Sequence, residues 1–126
     1  MSSPLTIITR SAGEVAILVL SGRLVAGGGT QALRAAVQTA VDGGRRAVLL
    51  DLEDLSYVDS AGVGMLVEVF RHVTRRGGQV KLLHPSLCAR RMLGITHLTC
   101  VFDVFDDEPE ALLNLTGTDA RLARQQ

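Results

Sequence analysis

One run of six residues, 47–52, constrains the fold more than any other feature of the sequence. It reads Ala-Val-Leu-Leu-Asp-Leu and lacks the alternation of apolar and polar residues that a strand with one solvated face shows. Such a run is typical of a central strand in a parallel sheet, covered on both faces by helices. Because 126 residues suffice for one domain with a hydrophobic core, we expect a single domain over 1–126, with its core at about 5–115.

The segments on either side of this run alternate between strand and helix patterns. Leu5–Thr9 and Val15–Ser21 are two strand-like runs joined by a turn, which predicts an antiparallel pair. The remaining segments predict, in order, a helix capped by Thr30, the central strand, a helix at 61–76, a strand at 79–83, a short helix capped by Ser86, an edge strand at 101–105 and a helix from Asp107 to Leu115. This order predicts an α/β domain with a mostly parallel sheet, an N-terminal antiparallel pair and about four helices. Residues 116–126 are polar and predict a flexible tail.

The charge balance restricts the kind of partner. Thirteen basic and thirteen acidic residues give a formal net charge of +0, which argues against nucleic acid or an anionic membrane as the main partner. The charges are unevenly distributed, because 70–101 holds six basic residues and no acid, whereas 102–115 holds five acids and no base. Segregated charges of this kind allow steering of a protein partner. No apolar stretch approaches the roughly 18 residues that span a bilayer, and no signal peptide is evident, so we expect a cytoplasmic protein.

The residue types that usually bind metals show no metal-binding spacing. His72, His84 and His97 fall in three different segments, and Cys88 and Cys100 form no Cys-x-x-Cys motif. His84 follows a predicted strand, which is a common position for site residues, but the sequence offers it no evident acidic partner. We therefore assign His84 a structural role and predict no cofactor and no metal.

Three further patterns that suggest enzymes are incomplete. Gly27-Gly28-Gly29 is not followed by the Lys-Ser/Thr of a phosphate-binding loop. Asp51 at the end of the central strand could be a phosphoacceptor, but such a site also needs an acidic pair after an earlier strand to hold Mg²⁺, and the corresponding loop at 22–26 carries no acid. Ser60 lies in no Gly-x-Ser-x-Gly motif and has no base placed beside it by a motif. The sequence therefore predicts a protein that is not an enzyme.

The segment after the central strand carries the most specific information. It reads as a strand, a loop and a helix, with Ser60 at the predicted N-cap of the helix. Gly62 and Gly64 follow in the first two turns, where each glycine disfavours the helix by about 1 kcal/mol relative to alanine. Such glycines indicate a close approach to the backbone by a neighbouring strand or by a partner protein. The simpler interpretation is that Ser60 is an ordinary cap worth about 1 kcal/mol and that the glycines allow tight packing.

The same helix carries a second apolar stripe, formed by Ala61, Met65 and Val69 at i+4 spacing. Two interpretations remain open. If Met65 and Val69 are exposed, they are partner contacts. If the helix is covered on two sides, they belong to the core.

The string Asp59-Ser60-Ala61-Gly62-Val63-Gly64-Met65-Leu66 resembles the signature of the STAS domain. More narrowly, it is similar to that of bacterial anti-sigma factor antagonists. The preceding strand end, Asp51-Leu52, and weaker similarity at 20–24 and 77–82 extend the resemblance over most of the chain, from about 5 to 115.

This resemblance implies a regulatory function. It implies that an anti-sigma factor with serine kinase activity binds the unmodified protein, phosphorylates Ser60 and then releases it, so that the antagonist regulates sigma-factor-dependent transcription. The switch and partner-binding residues implied in this way are Asp59, Ser60, Ala61, Gly62, Gly64, Met65 and Val69.

One position departs from the pattern of the kinase-regulated members. Many of them carry an acidic residue near the position of Val25, in the loop after the second strand, and here that loop is apolar and glycine-rich. The alternative function is therefore a STAS docking module that is not phosphorylated, in a stress-signalling assembly or on a transporter. The oligomeric state stays open.

Overall fold

The sheet has five strands in the order β1-β2-β3-β4-β5. The computed structural model describes residues 4–116, so 117–126 of the predicted tail lie outside the described residues. The elements are β1 (Thr6–Ala12), β2 (Val15–Leu24), α1 (Gly28–Asp42), β3 (Ala47–Val58), α2 (Ser60–Arg75), β4 (Gln79–Leu83), α3 (Leu87–Ile95), a 3₁₀ turn (Leu98–Cys100), β5 (Val104–Phe105) and α4 (Glu108–Thr116). β1 pairs with β2 antiparallel, and the other neighbouring strands pair parallel. Within residues 4–116, the predicted fold class is therefore confirmed: an α/β domain with a mostly parallel sheet, an N-terminal antiparallel pair and four helices.

The central strand is longer than its apolar run predicts. β3 continues to Val58, so the loop predicted after Leu52 is wrong. Its second half pairs with β2 through two register shifts, the last pair being Leu24 with Val58. Because Leu55 and Val58 are buried three residues apart, with exposed residues between them, this half shows no period of two in the sequence.

The two faces of the sheet are covered unequally. Val48, Leu50 and Leu52 point into the larger core, which α1, α2 and α3 complete. Ala47 and Leu49 point to the other face, where α4 covers only part of the sheet. Since side chains alternate along a strand, Asp51 continues this second face. On the same face, Ile8 of β1 stays 58% exposed.

The helix caps follow the sequence prediction in part. Ser86 caps α3, because its hydroxyl oxygen accepts a hydrogen bond from the Ala89 N–H at 3.1 Å. Thr30 is not the cap of α1, which begins at Gly28 with Gly27 as its N-cap at φ 88°. This positive φ favours glycine, and the Thr30 hydroxyl donates back to the Gly27 carbonyl from inside the first turn. Within residues 4–116, no helix is long and apolar enough to cross a membrane.

A close approach between α2 and the end of β2 fixes the start of α2. A Cβ atom at Gly62 would overlap the carbonyl oxygen of Leu24 and lie 2.9 Å from a methyl group of Val58. At Gly64, by contrast, a Cβ atom would meet nothing within 4 Å. Of the two approaches that the sequence leaves open, a neighbouring strand accounts for Gly62 and not for Gly64.

These two glycines give a matched pair of substitutions in one helix. We expect Gly62→Ala to lower the free energy of unfolding by about 1–3 kcal/mol, because α2 must move away from β2. Gly64→Ala should raise it by about 0.5–1 kcal/mol, since alanine favours the helix and meets no neighbour. Urea unfolding of both variants and the unsubstituted protein tests this. Equal effects of the two substitutions would contradict the packing described here.

Candidate functional site

Asp59 is the N-cap of α2. Its backbone is extended, and carboxylate atom Oδ1 accepts a hydrogen bond from the Gly62 N–H at 2.8 Å. The prediction that Ser60 is the cap is therefore wrong, and Ser60 is the first residue of the helix. A carboxylate is as good a cap as a hydroxyl, and its second oxygen remains free for another donor.

The second oxygen of Asp59 connects the helix to the loop after β2. Oδ2 accepts a hydrogen bond from the Ala26 N–H at 3.2 Å, and the Asp59 N–H donates to the Leu24 carbonyl at 3.2 Å. One residue thus joins the end of β2, the following loop and the start of α2. The hydrogen bond from Gly62 is the main reason why the pKa of Asp59 lies below its ordinary value, and the bond from Ala26 lowers it further.

Ser60 is exposed at the first position of α2. Its hydroxyl makes no hydrogen bond with any residue in the part of the chain that the structure describes. The N–H groups at this end of the helix carry the positive end of the helix dipole, which favours an anionic group. The hydroxyl is therefore accessible, and an added phosphate would lie in a favourable local field.

The surface around Ser60 consists mainly of small residues. Ala61 and Gly64 of α2 are exposed, as is Ala26 in the neighbouring loop. Val25 is half-buried, and its carbonyl oxygen accepts a hydrogen bond from the Thr30 N–H at 3.1 Å. A partner protein can thus approach the backbone of α2 closely without meeting large side chains.

An aromatic residue is exposed in the strand that leads to Ser60. Tyr57 is 46% exposed, and the guanidinium of Arg23 lies 5.0 Å from the centre of its ring. This distance is within the range of a cation–π interaction, which orders both side chains at the paired ends of β2 and β3.

Met65 and Val69 are not surface residues. They are only 8% and 3% exposed, and they pack into the larger core. The interpretation of these two residues as exposed partner contacts is wrong, because α1 covers this side of α2. They form part of the floor of a groove of about 200 Å³ between α1 and α2. An exposed ion pair lies at the edge of this groove, with 2.7 Å between the guanidinium of Arg34 and the carboxylate of Glu68.

The charge segregation of the sequence is partly cancelled in the fold. Lys81 forms an ion pair with Asp103, and Arg90 forms one with Asp106. Both pairs join the basic segment to the acidic one. Lys81 reaches Asp103 because β4 lies beside β5, whereas Arg90 belongs to α3. These four charges are therefore paired in the fold, which reduces the charge difference that could steer a protein partner.

The structure brings together three side chains that the sequence does not connect. His84 Nδ1 lies 3.9 Å from Asp51 Oδ1, and Glu53 lies beside both. The statement that His84 has no acidic partner is wrong. The parallel register provides the missing signal: Asp51 pairs with Leu83, which places the next residue, His84, beside Asp51.

The cap at Asp59 predicts a pH-dependent contribution to stability. At pH 7, Asp59→Ala should lower the free energy of unfolding by about 0.5–2 kcal/mol, because the Gly62 and Ala26 N–H groups lose their acceptor. Since folding lowers the pKa from its ordinary 3.8, this contribution is present above about pH 4 and is lost as the pH falls through the folded value.

Urea unfolding at pH 7 and at successive values below pH 4 measures this difference. Asp59→Asn, which keeps one acceptor oxygen, should lie between alanine and the unsubstituted protein at pH 7. Asp54→Asn, which removes an exposed carboxylate from β3, is the control. A difference between Asp59→Ala and the unsubstituted protein that stays constant down to acidic pH would contradict this account.

Several curated relatives of this chain are named anti-sigma factor antagonists. Over 53 residues the chain is 40% identical to the anti-sigma-B factor antagonist of Bacillus subtilis, a match that covers 42% of this chain and 49% of the relative. The curated relatives are matched over about half to two thirds of their own length, from 49% to 66%.

Solved structures show the same fold. The Bacillus anti-sigma factor antagonist SpoIIAA in its unphosphorylated form superposes with a TM-score of 0.75 at 24% identity, over 89% of this chain and 97% of that one. Its phosphorylated form gives a TM-score of 0.66 at 26% identity, over 85% and 96% of the two chains.

The sequence profile of the STAS domain matches residues 6–111, which include the sheet, α1 to α3 and the Asp59–Ser60 segment. This chain therefore belongs to the STAS domain family.

Proposed function

We propose that this protein is an anti-sigma factor antagonist whose binding to an anti-sigma factor is controlled by phosphorylation of Ser60. The observation that carries the proposal is the exposed Ser60 hydroxyl at the first position of a helix capped by its neighbour, Asp59. The names of the curated relatives and the phosphorylated form of SpoIIAA support it. The partner is an anti-sigma factor that is also a serine kinase, and the setting is the cytoplasm.

The helix end can accommodate the phosphate. A phosphoserine carries about −1.5 to −2 charges at neutral pH, and the dipole of α2 stabilises negative charge at its N-terminus. Gly62 N–H is already occupied by Asp59, so the cap stays in place when the phosphate is added. The modified domain therefore keeps its fold.

A partner seated on the same surface cannot accommodate it as well. The unmodified surface carries small, uncharged side chains at Ser60, Ala61 and Gly64, and the carboxylate of Asp59 is the charge beside them. A phosphate there adds bulk and negative charge at the centre of the interface. Burying a charge without a partner of opposite charge strongly weakens binding. Phosphorylation thus weakens binding through the interface and not through unfolding.

Gly64 supports a partner at this surface. Nothing inside the domain needs a glycine there, although it disfavours the helix by about 1 kcal/mol relative to alanine. Close approach of a partner backbone to α2 explains the residue. Gly62, in contrast, serves the packing of α2 against β2.

Val25 favours a second candidate function, that of a docking module without phosphorylation. It stands where many members that resemble this chain and are kinase-regulated have an acidic residue, which weakens the inference that a kinase recognises this loop. The loop keeps its conformation without that acid, because Ala26 N–H donates to Asp59 and Thr30 N–H donates to the Val25 carbonyl. Such a module would use the same surface in a stress-signalling assembly or on a transporter.

One experiment separates the two functions. The protein is incubated with ATP and each anti-sigma factor kinase of its source organism, and the products are analysed by mass spectrometry. We expect one phosphate per chain, on Ser60, and none on Ser60→Ala. Lack of modification by every kinase that binds the protein would favour the docking module.

The switch itself is tested by binding measurements with the partner. Ser60→Asp should weaken the affinity by about tenfold or more, which corresponds to about 1.4 kcal/mol. Ser11→Asp is the matched control, because Ser11 is exposed and pairs with Ala16 near the start of β2. Ser60 lies at the opposite end of the sheet, after the end of β3 that pairs with the last residue of β2. Equal affinities of the two aspartate variants would contradict the switch.

A further inference from the structure

A second group of polar side chains lies on the sheet face that carries α4. Asp51 and Glu53 are two residues apart on β3, and His84 directly follows β4. One potential ligand atom from each residue lies within 4.8 Å of the others, and the Asp51 Oδ1 to His84 Nδ1 distance is 3.9 Å. The group is away from the end of β3 that leads to Ser60.

The imidazole of His84 lies near the Asp51 carboxylate, but among the described residues its inner nitrogen lacks a hydrogen-bond partner. Nδ1 is buried and makes no hydrogen bond within residues 4–116. A buried polar atom without a partner is unusual in a folded protein and asks for an explanation, such as an ion. Nδ1 faces the carboxylate of Asp51 at 3.9 Å, which is beyond hydrogen-bond distance and leaves space between the two residues.

The carboxylate of Asp51 is also incompletely satisfied. Asp51 is 8% exposed, and among the described residues its side chain accepts one hydrogen bond, from the Glu53 N–H at 3.1 Å. Buried carboxylates are normally paired with a cation or coordinate a metal. Because Asp51 lies in a strand that is paired on both sides, its backbone cannot easily move to bring the carboxylate into contact with solvent.

A basic side chain that interacts electrostatically with Asp51, that of Arg10, is already engaged. Arg10 donates two hydrogen bonds to Glu108, at 2.7 and 3.3 Å, and interacts with Asp51 only over a longer distance. Glu53 forms no ion pair with a described residue. Three carboxylates and one guanidinium therefore leave this region with excess negative charge, which attracts a cation.

We propose that Asp51, Glu53 and His84 bind a first-row divalent metal ion, such as Zn²⁺ or Mn²⁺. One imidazole and two carboxylates suit these ions, whereas Ca²⁺ and Mg²⁺ prefer oxygen ligands alone. Ligand atoms around such an ion lie about 3–3.5 Å apart when the bonds are about 2.0–2.1 Å long, so the group has to contract. The exposed Glu53 and the one-third exposed His84 can make this movement around a fixed Asp51.

Three protein ligands leave coordination positions for water, so the site is open on its outer side. A bound ion would link β3 to the residue after β4 across the sheet. Because none of its ligands belongs to the surface around Ser60, the proposal is independent of the proposed function.

The test is a titration of the full chain after metal removal. Mn²⁺ binding is followed by the loss of the electron paramagnetic resonance signal of the free ion, and Zn²⁺ binding by calorimetry and by competition with Mn²⁺. We expect one saturable site that both ions share. Mg²⁺ at the same concentration should not compete.

Two histidine variants form a matched pair. His84 and His97 both have a positive φ, 47° and 60°, and asparagine tolerates this region better than most residues. We expect His84→Asn to weaken metal binding by more than about tenfold and His97→Asn to leave it unchanged. Glu53→Gln should also weaken binding, and the neighbouring Asp54→Asn should not. Circular dichroism and urea unfolding establish that each variant is folded.

Three results would overturn the proposal. The first is the absence of saturable binding to the unsubstituted protein. The second is binding that persists at full strength in a folded His84→Asn variant. The third is Zn²⁺ binding that is lost when Cys88 and Cys100 are replaced by serine, which would assign the ion to the two free thiols.

Discussion

The carboxylate of Asp59 holds the candidate site together, because both of its oxygens accept hydrogen bonds from different segments. Oδ1 caps α2 at Gly62, and Oδ2 fixes the loop after β2 at Ala26. The backbone N–H of the same residue donates to Leu24 at the end of β2. Ser60 therefore follows a residue whose position is determined by three contacts. The exposed hydroxyl is presented from a rigid base, and the loop beside it is held at a fixed distance.

The glycine at 62 is the second requirement of this arrangement. The hydrogen bond from Gly62 to Asp59 and the absence of a Cβ atom allow the first turn of α2 to rest on Leu24 and Val58. Any larger residue would push α2 away from β2 and would stretch the contacts of Asp59. The cap and the glycine thus act together. The helix start is closely packed on its inner side and lined with small residues on its outer side.

The sequence predicts the fold well and the site only in part, for identifiable reasons. The apolar run at 47–52 and the helical periodicities suffice to predict the layers, because burial follows hydrophobic pattern. Asp59 and Ser60 are both good caps, and sequence alone does not show which of them has the extended backbone that a cap needs. Met65 and Val69 have an apolar pattern that fits a core or an interface equally well, and only the position of α1 decides between them. His84 and Asp51 lie side by side because of the register between β3 and β4, and the sequence alone does not show which residues of two strands are paired.

The position of Ser60 also explains why the proposed modification would act on binding and not on the fold. Asp59 has a lowered pKa and is ionised at neutral pH, so the helix start already tolerates one negative charge. That carboxylate is held by hydrogen bonds from Gly62 and Ala26, and a phosphate on the exposed Ser60 side chain does not need either donor. The phosphate would remain solvated in the free protein, where water screens its repulsion with Asp59. Once a partner excludes that water, the same two charges repel each other more strongly and lose their hydration. The phosphate therefore mainly makes the free energy of binding less favourable and hardly changes the free energy of unfolding. A switch that leaves the domain intact requires this difference.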